Sequence, residues 1–145
     1  MKQLFIGFAL TLLTLVSHQA HAEQKTIVGN YEIHYVAFPS TFITPEVAKQ
    51  YGVERSRYNA LVNISVLNRV MANNPAVEAN VSGHARNLIS TMKTLNFKEI
   101  KEGDAIYYIA EVGHRNEEVL NFEVQVSVGR SLNTKIKFNQ KFYVD

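Results

Sequence analysis

The residues in this chain that are best suited to recognition chemistry are two arginines one residue apart, Arg55 and Arg57, in the stretch ERSRYNALVNISV. A guanidinium group carries planar, forked donors that bind a carboxylate or a phosphate in pairs. Asn59 follows at the same spacing, so an extended chain places all three side chains on one face. The three residues predict a site for a small anionic group or a partner protein. The alternative is structural, with the arginines bridging carbonyl groups or carboxylates between a helix and a strand.

Aromatic side chains lie close upstream, in the loop FPSTF that carries Phe38 and Phe42. Exposed aromatics often anchor a partner at an interface because they bury a large apolar area. We therefore include both phenylalanines among the candidate binding residues. They equally suit a buried position between a helix and the sheet, which would make them packing residues.

Metal ligation has little support in the sequence. Beyond residue 22 the histidines are His34, His84 and His114, which form no His-X-His motif and no pair four residues apart. Metal sites with histidine ligands usually show such spacing. The chain also contains no cysteine, so neither a thiolate ligand nor a disulfide is available. We expect no metal and no cofactor, and a stability that comes from core packing.

Catalytic motifs are also missing. There is no Gly-X-Ser-X-Gly sequence, and the absence of cysteine removes a strong nucleophile. Glu117 and Glu118 are consecutive, and a strand would turn them to opposite faces. We therefore predict no catalytic residue, and a non-catalytic binding or protein-interaction module. The alternative is a small envelope enzyme or an anionic-ligand-binding protein with its site near Arg55 and Arg57.

The charge pattern argues against a nucleic-acid partner. Lysines and arginines number 15 and aspartates and glutamates 13, a formal net charge of +2, which is too balanced for binding a phosphate backbone. A short lysine row, Lys135, Lys137 and Lys141, occupies the polar side of the last predicted strand. We interpret the row as edge protection, with Glu123 diagonally opposite. The alternative is a basic stripe for an anionic polymer.

The N-terminus predicts export. A positively charged start precedes an uncharged apolar run at 4–16, and Ala20-His21-Ala22 supplies an A-X-A cleavage site. The run has 13 residues, whereas a membrane-spanning helix needs about 20. We expect residues 1–22 to be a signal peptide and residues 23–145 to be a single periplasmic domain with no transmembrane anchor after cleavage. The expected partner is another envelope protein or a small anionic ligand.

Period-two alternation of apolar and polar residues fills the rest of the chain. In 60–66 and 120–128 every second residue is apolar, which is typical of strands with one buried face. These runs predict an all-β protein, an antiparallel β-sandwich of immunoglobulin-like architecture, with a small closed barrel as the alternative. One short helix, Pro45–Tyr51, interrupts the pattern, with Thr44 as its cap and Gly52 at its end.

Local patterns predict further details. Extending the alternation of 60–66 backwards turns Tyr58 towards the core. The segment 85–93 is predicted to continue a strand through a bend, with a helix as the alternative, and 23–25 is predicted to be a polar lead-in. Two hairpins are expected, 94–100 with 105–112 and 120–128 with 134–144.

Three longer stretches of the sequence resemble a known family. They are AFPSTFITPEVAKQYGVERSRYNALVNISV, EIKEGDAIYYIAEV and KFNQKFYVD. Their order and length resemble the exported bacterial family called domain of unknown function 4426. The resemblance implies a small periplasmic β-sandwich-like protein of Gram-negative bacteria. It brings no activity, cofactor or functional residue that can be assigned to positions in this sequence.

The export prediction is tested by sequencing the N-terminus of the protein recovered from expressing cells. Cleavage after Ala22 yields a chain that begins Glu-Gln-Lys, because the small residues at 20 and 22 fit the cleavage site. A protein that keeps Met1 and sediments with the membrane fraction would contradict the prediction.

Overall fold

The computed structural model describes residues 23–144, and the predicted signal peptide lies outside that range. Most of the described chain is extended. A short 3-10 helix at Ser40–Phe42 and the α-helix α1 at Pro45–Tyr51 interrupt the strands. In chain order the strands are β1 Gln24–Val28, β2 Tyr31–Pro39, β3 Asn59–Asn68, β4 Asn80–Arg86, β5 Met92–Leu95, β6 Lys98–Glu102, β7 Ala105–Gly113, β8 Glu118–Val128 and β9 Leu132–Phe142.

The strands form two sheets rather than one closed cylinder. Sheet A has five strands in the order β1-β2-β3-β7-β6, and sheet B has four in the order β5-β4-β8-β9. All strand pairs in the described range are antiparallel. The prediction of an all-β, antiparallel protein with one short helix is confirmed.

The two sheets face each other across one apolar core, in a sandwich-like arrangement. β3 and β8 lie inside their sheets and supply alternate side chains to this core, as the sequence predicts. Burying such a side chain stabilises the fold by about 1.5–3 kcal/mol. The inward residues of these two strands are each at most 2 % exposed: Ala60, Val62, Ile64 and Val66 from β3, and Leu120, Phe122, Val124 and Val126 from β8.

The helix α1 begins and ends as its sequence predicts. The backbone N–H of Val47 donates to the hydroxyl oxygen of Thr44 (3.2 Å), and Pro45 takes the first helical position. Gly52 ends the helix with φ of 67°, a left-handed conformation that costs glycine little. These three signals fix a helix of seven residues within a chain that is otherwise extended.

The helix region is bonded to the outer face of sheet A. The ammonium group of Lys98 in β6 donates to the carbonyl oxygen of Gly52 (2.8 Å), and the Tyr51 hydroxyl donates to the Glu102 carboxylate. That carboxylate raises the pKa of Tyr51 to about 12. Leu61 and Ile109 lie on this outer face by register and are nevertheless buried. The outer face is therefore partly apolar and covered, as the sequence indicates.

The structure corrects the prediction for Tyr58. Its side chain is 57 % exposed, and the strand begins only at Asn59. A tight turn precedes the strand, in which the Asn59 N–H donates to the carbonyl oxygen of Ser56 (3.1 Å). Alternation applies only to extended chain, so it does not reach back through this turn.

Other local predictions are wrong in instructive ways. Residues 24–25 belong to β1 and are not a polar lead-in. The segment 85–93 is neither a helix nor one bent strand, because β4 ends at Arg86 and a turn with Ser90 at φ of 63° leads into β5. The expected strand 94–100 is divided, since β5 belongs to sheet B and β6 to sheet A.

Two hairpins form around glycines, as predicted. Gly103 joins β6 to β7 with φ of 57°, and Gly129 follows β8 with φ of 48° before β9 begins. Both glycines have the positive φ that such turns require. The hairpin of β8 and β9 fixes the lysine row of β9 against Glu123 of β8, where Lys135 contacts the carboxylate diagonally at 2.8 Å.

Replacing Gly83 tests the close contact between β4 and β8. A Cβ atom at this position would lie 2.4 Å from the backbone carbonyl oxygen of Glu123, so the Gly83→Ala side chain forces the two strands apart. We expect the free energy of unfolding to fall by about 2–3 kcal/mol. Denaturant unfolding measures the loss, and the exposed neighbour Ser82→Ala serves as the control, with a change within about 0.5 kcal/mol. Equal midpoints for both variants would show the contact to be unimportant.

Candidate functional site

One end of the two sheets collects all the sequence-predicted site residues. Strand pairing places the end of β2, the start of β3, the end of β7 and the start of β8 there, together with the ends of β4 and β9. We call this region the loop end and define it as residues 38–44, 53–59, 86–93, 111–118 and 141–144. The opposite end, called the far end, comprises residues 28–32, 67–79, 99–106 and 127–133.

Arg55 has a structural arrangement. Its Nε–H donates to the carbonyl oxygen of Ile43 (2.7 Å) and its Nη2 donates to that of Thr41 (3.3 Å). The guanidinium therefore holds the chain between the 3-10 helix and α1, which is the carbonyl-bridging alternative. Arg57 lies in the exposed turn ahead of β3. Its role as a binding residue stays a prediction.

Asn59 is buried, and its side chain is hydrogen-bonded. Its side chain lies on the outer face of sheet A, and the residue is only 9 % exposed. Its Nδ2 donates to the carbonyl oxygen of Glu54 (2.8 Å) and to Oε1 of Glu111 (3.1 Å), and that same oxygen accepts the Glu54 N–H (2.7 Å). Asn59 thus joins the approach to β3 with β7, and its amide is committed to these partners.

Ser40 and Ser56 are joined by two hydrogen bonds that the sequence does not predict. The Ser40 hydroxyl donates to the carbonyl oxygen of Ser56 and accepts the Ser56 N–H, both at 2.9 Å. Ser40 is fully buried. The pair fastens the 3-10 helix to the chain ahead of β3, and no periodic or spacing signal connects these two positions.

The two aromatic candidates stack on each other, and one of them is exposed. The rings of Phe38 and Phe42 stack with centroids 6.4 Å apart. Phe38 is partly buried, whereas Phe42 is 63 % exposed. Phe42 therefore does not occupy a buried position between the helix and the sheet. With the exposed Tyr58 it gives the loop end two projecting aromatic rings on the side of sheet A.

The side of sheet B adds further exposed apolar groups at the same end. Leu88 and Ile89 form the tip of the turn between β4 and β5 and are 75 % and 83 % exposed, and Met92 follows them. The Oδ1 of Asn87 accepts the N–H groups of Ile89 (3.2 Å) and Thr91 (2.9 Å), so the turn has a defined shape. Of the nine large hydrophobic side chains that are exposed in the described part of the chain, six lie at the loop end: Phe42, Tyr58, Leu88, Ile89, Met92 and Tyr143.

A charged cluster connects the two sheets beneath these groups. The ammonium group of Lys93 donates to the carbonyl oxygen of Gly113 (2.6 Å) and to Glu118 (3.1 Å). Glu118 also accepts bonds from the Asn87 side chain (3.2 Å) and the Arg115 N–H (3.3 Å). Burial by itself raises the pKa of Glu118, but these bonds together lower it. An open depression of about 250 Å³ lies between this cluster and the Leu88 turn.

His114 anchors the centre of the loop end. It is 4 % exposed, and its ring stacks on Phe142 with centroids 4.9 Å apart. Its Nδ1 lies 2.9 Å from the carbonyl oxygen of Arg115, so the hydrogen-bond network assigns the proton to Nδ1. Its backbone N–H donates to the carbonyl oxygen of Tyr58 (2.8 Å). The residue therefore couples the turn ahead of β3 to the core of sheet B.

The other histidines and the lysine row lie elsewhere. His84 and Lys135 both contact Glu123 on the outer face of sheet B, at 3.2 Å and 2.8 Å. Within residues 23–144 no three histidine, aspartate or glutamate side chains are grouped so that they could hold a metal ion. Among the helices of the same range, none has the length and apolar character that crossing a bilayer requires.

Removing the Ser40 hydroxyl tests the bond that shapes the loop end. In Ser40→Ala the N–H and C=O of Ser56 lose their partner in a buried place, so we expect the free energy of unfolding to fall by about 1–3 kcal/mol. Thermal or denaturant unfolding measures the effect. Thr41→Ala, at the exposed neighbouring position, is the control and should change little. A Ser40→Ala protein as stable as the control would contradict this role.

Comparison with solved structures finds proteins with a similar fold. A DUF4426 family protein from Pseudomonas aeruginosa PAO1 is 29 % identical, with a TM-score of 0.74 over 85 % of this chain and 96 % of that one. FetP from uropathogenic Escherichia coli strain F11, expressed in the periplasm, is 12 % identical, with a TM-score of 0.57 over 84 % of this chain and 94 % of FetP. A copper-bound variant of FetP gives the same identity and TM-score over 83 % and 95 %. At this identity the likeness to FetP shows the fold alone.

Comparison with protein families settles the family. No curated protein matches the sequence. Residues 25–145, nearly all of the chain beyond the predicted signal peptide, match the family described as "Domain of unknown function (DUF4426)". The resemblance noted in the sequence is thereby confirmed, and the chain belongs to the DUF4426 family.

Proposed function

We propose that the protein is a non-catalytic binding module of the periplasm that engages another component of the cell envelope through its loop end. The observation that carries this proposal is the gathering of six exposed apolar side chains at that end, out of nine in residues 23–144. Monomeric proteins rarely expose apolar groups in a cluster unless the cluster is an interaction site.

The loop end is built for binding rather than for rearrangement. Each of its turns is bonded in place, by the Ser40–Ser56 pair, by the Asn87 side chain and by the Lys93 bonds to Gly113 and Glu118. Loops that are already ordered lose little conformational entropy when a partner binds. The exposed side chains therefore offer their apolar area at a low entropic cost.

The polar groups of the loop end support a non-catalytic role. Asn59, Glu111 and Glu118 are each engaged in several bonds that hold the loops. General acid–base chemistry needs such groups to converge on a reacting atom. The small-enzyme alternative is second, together with recognition of a small anion by Arg55, whose Nε and Nη2 donate to backbone carbonyls.

Export and fold subtype belong to the same proposal. The predicted signal peptide supports a periplasmic location, and the family resemblance agrees with it. The immunoglobulin-like subtype is also a proposal, supported by the two antiparallel sheets around one core.

Site-specific cross-linking in living cells tests the proposed function. A photo-reactive phenylalanine analogue is placed at position 42, 58 or 89 of the loop end, with position 71 of the far end as the control, since Met71 is 57 % exposed. We expect all three loop-end positions to capture the same envelope component, identified by mass, and position 71 not to capture it. Equal capture at position 71, or none at the loop end, would overturn the proposal.

A further inference from the structure

We propose that the loop end binds the surface of an anionic phospholipid bilayer. This inference rests on the proposed function, because it names the envelope component that the same end engages. The protein docks with the turns of the loop end among the lipid headgroups, and the two sheets extend away from the membrane.

The aliphatic side chains at the tip suit shallow insertion. Leu88 and Ile89 are adjacent and 75 % and 83 % exposed, and Met92 beside them is 54 % exposed. A bilayer interface accepts such groups to a depth of about 5–10 Å and requires no matching cavity in the protein. The neighbouring depression of about 250 Å³ is open to solvent.

The aromatic side chains suit the headgroup layer. Tyr58 is 57 % and Tyr143 is 44 % exposed, and each combines an apolar ring with a polar hydroxyl. Tyrosine is enriched at membrane–water boundaries for this reason. Phe42, at 63 % exposure, adds a third ring on the side of sheet A. Apolar contact with the bilayer therefore extends across both sheets.

Cationic side chains are interleaved with these apolar groups. Arg57 precedes Tyr58 in the exposed turn. The Nη2 of Arg86 lies 3.5 Å from the sulfur atom of Met92, and the Nζ of Lys141 lies 5.4 Å from the ring centre of Tyr143. Basic residues beside exposed apolar groups attract phosphate headgroups, with each cation near the surface strengthening binding roughly fivefold.

Two carboxylates of the loop end, Glu111 and Glu118, are engaged in its own bonds, whereas Glu54 and Glu117 are exposed. The Glu118 side chain is only 13 % exposed and binds Lys93, and Glu111 accepts bonds from Asn59 and the Glu54 N–H. Six lysines and arginines accompany four glutamates in the segments of the loop end. The loop end therefore carries a formal excess of two positive charges.

The far end has the opposite balance. Its segments hold three cations, Arg69, Lys101 and Arg130, against five carboxylates. Exposed apolar residues are present there too, among them Val70 and Met71 at 64 % and 57 %. An anionic bilayer attracts one end and repels the other, so the charge distribution selects the loop end even though both ends expose apolar groups.

Vesicle sedimentation tests the inference on the processed protein, whose N-terminus is first sequenced so that no leader remains. Vesicles of phosphatidylglycerol and phosphatidylethanolamine are compared with vesicles of phosphatidylcholine alone. We expect the anionic vesicles to bind the protein at least tenfold more strongly. Raising the salt from about 0.1 M to about 1 M, which shortens the Debye length from about 10 Å to about 3 Å, should remove most of this binding.

Two double variants with the same change in charge separate the two ends. Leu88→Asp with Ile89→Asp places two carboxylates at the tip and should weaken binding to anionic vesicles at least tenfold. Val70→Asp with Met71→Asp makes the same change at the far end and should bind like the original protein. Thermal unfolding of both variants checks that each is folded. Arg57→Ala should weaken binding severalfold, and its thermal unfolding is measured beside the other variants to check that it is folded.

The outcomes distinguish this inference from the proposed function. If the original protein ignores anionic vesicles, or if the tip variant binds them as well as the far-end variant does, the lipid inference is wrong. If cross-linking at position 89 then identifies an envelope protein, the proposed function stands with a protein as partner. If vesicles and cross-linking both fail at the loop end, the proposed function falls as well.

Discussion

The dry contact between the inward faces of β3 and β8 is the interaction on which the rest of the structure depends. No cysteine is present to link the two sheets covalently, so apolar packing must hold them. The inward residues of both strands are almost completely inaccessible to solvent. A shift of either strand by one residue would turn these side chains outwards, so the packing also fixes the register. Once the registers are fixed, the positions of the strand ends at the loop end are fixed relative to one another.

The core alone does not shape the loop end, because loops leave backbone groups that strands would otherwise satisfy. Those groups are bonded by short polar side chains: Ser40 binds Ser56, Asn87 binds its own turn, and Lys93 binds Gly113. An unpaired buried N–H or C=O costs about 1–3 kcal/mol, so the part-buried Ser40–Ser56 bond contributes most to the shape of its loop, and the exposed bonds of Asn87 and Lys93 contribute less. With the loops held in this way, the end presents exposed apolar and cationic side chains to solvent, beside the exposed Glu54 and Glu117.

Much of this architecture is readable from the sequence, and the errors share a physical origin. Alternation, glycine turns and helix caps act between neighbouring residues, so they predict the faces of β3 and β8, the hairpins and α1. The prediction for Tyr58 is wrong because a turn interrupts the extended chain on which alternation depends. The change from sheet B to sheet A between Leu95 and Lys98 leaves no period of its own, since both halves are extended. The Ser40–Ser56 and Asn59–Glu111 bonds join residues 16 and 52 positions apart, and no local pattern reports such pairs.

The hydrogen bonds within the Leu88 turn explain how the apolar groups at the loop end stay exposed and available to a partner. A loosely held turn can fold its aliphatic side chains back onto the protein and hide them from water. Here Asn87 accepts two backbone N–H groups across the turn, and Ser90 adopts a positive φ, so the turn keeps Leu88 and Ile89 pointing outwards. The free energy of ordering the turn is spent when the protein folds. Binding strength then depends on the exposed apolar area and on the charge. An anionic bilayer favours exposed apolar groups beside positive charge, whereas the far end has exposed apolar groups beside an excess of negative charge.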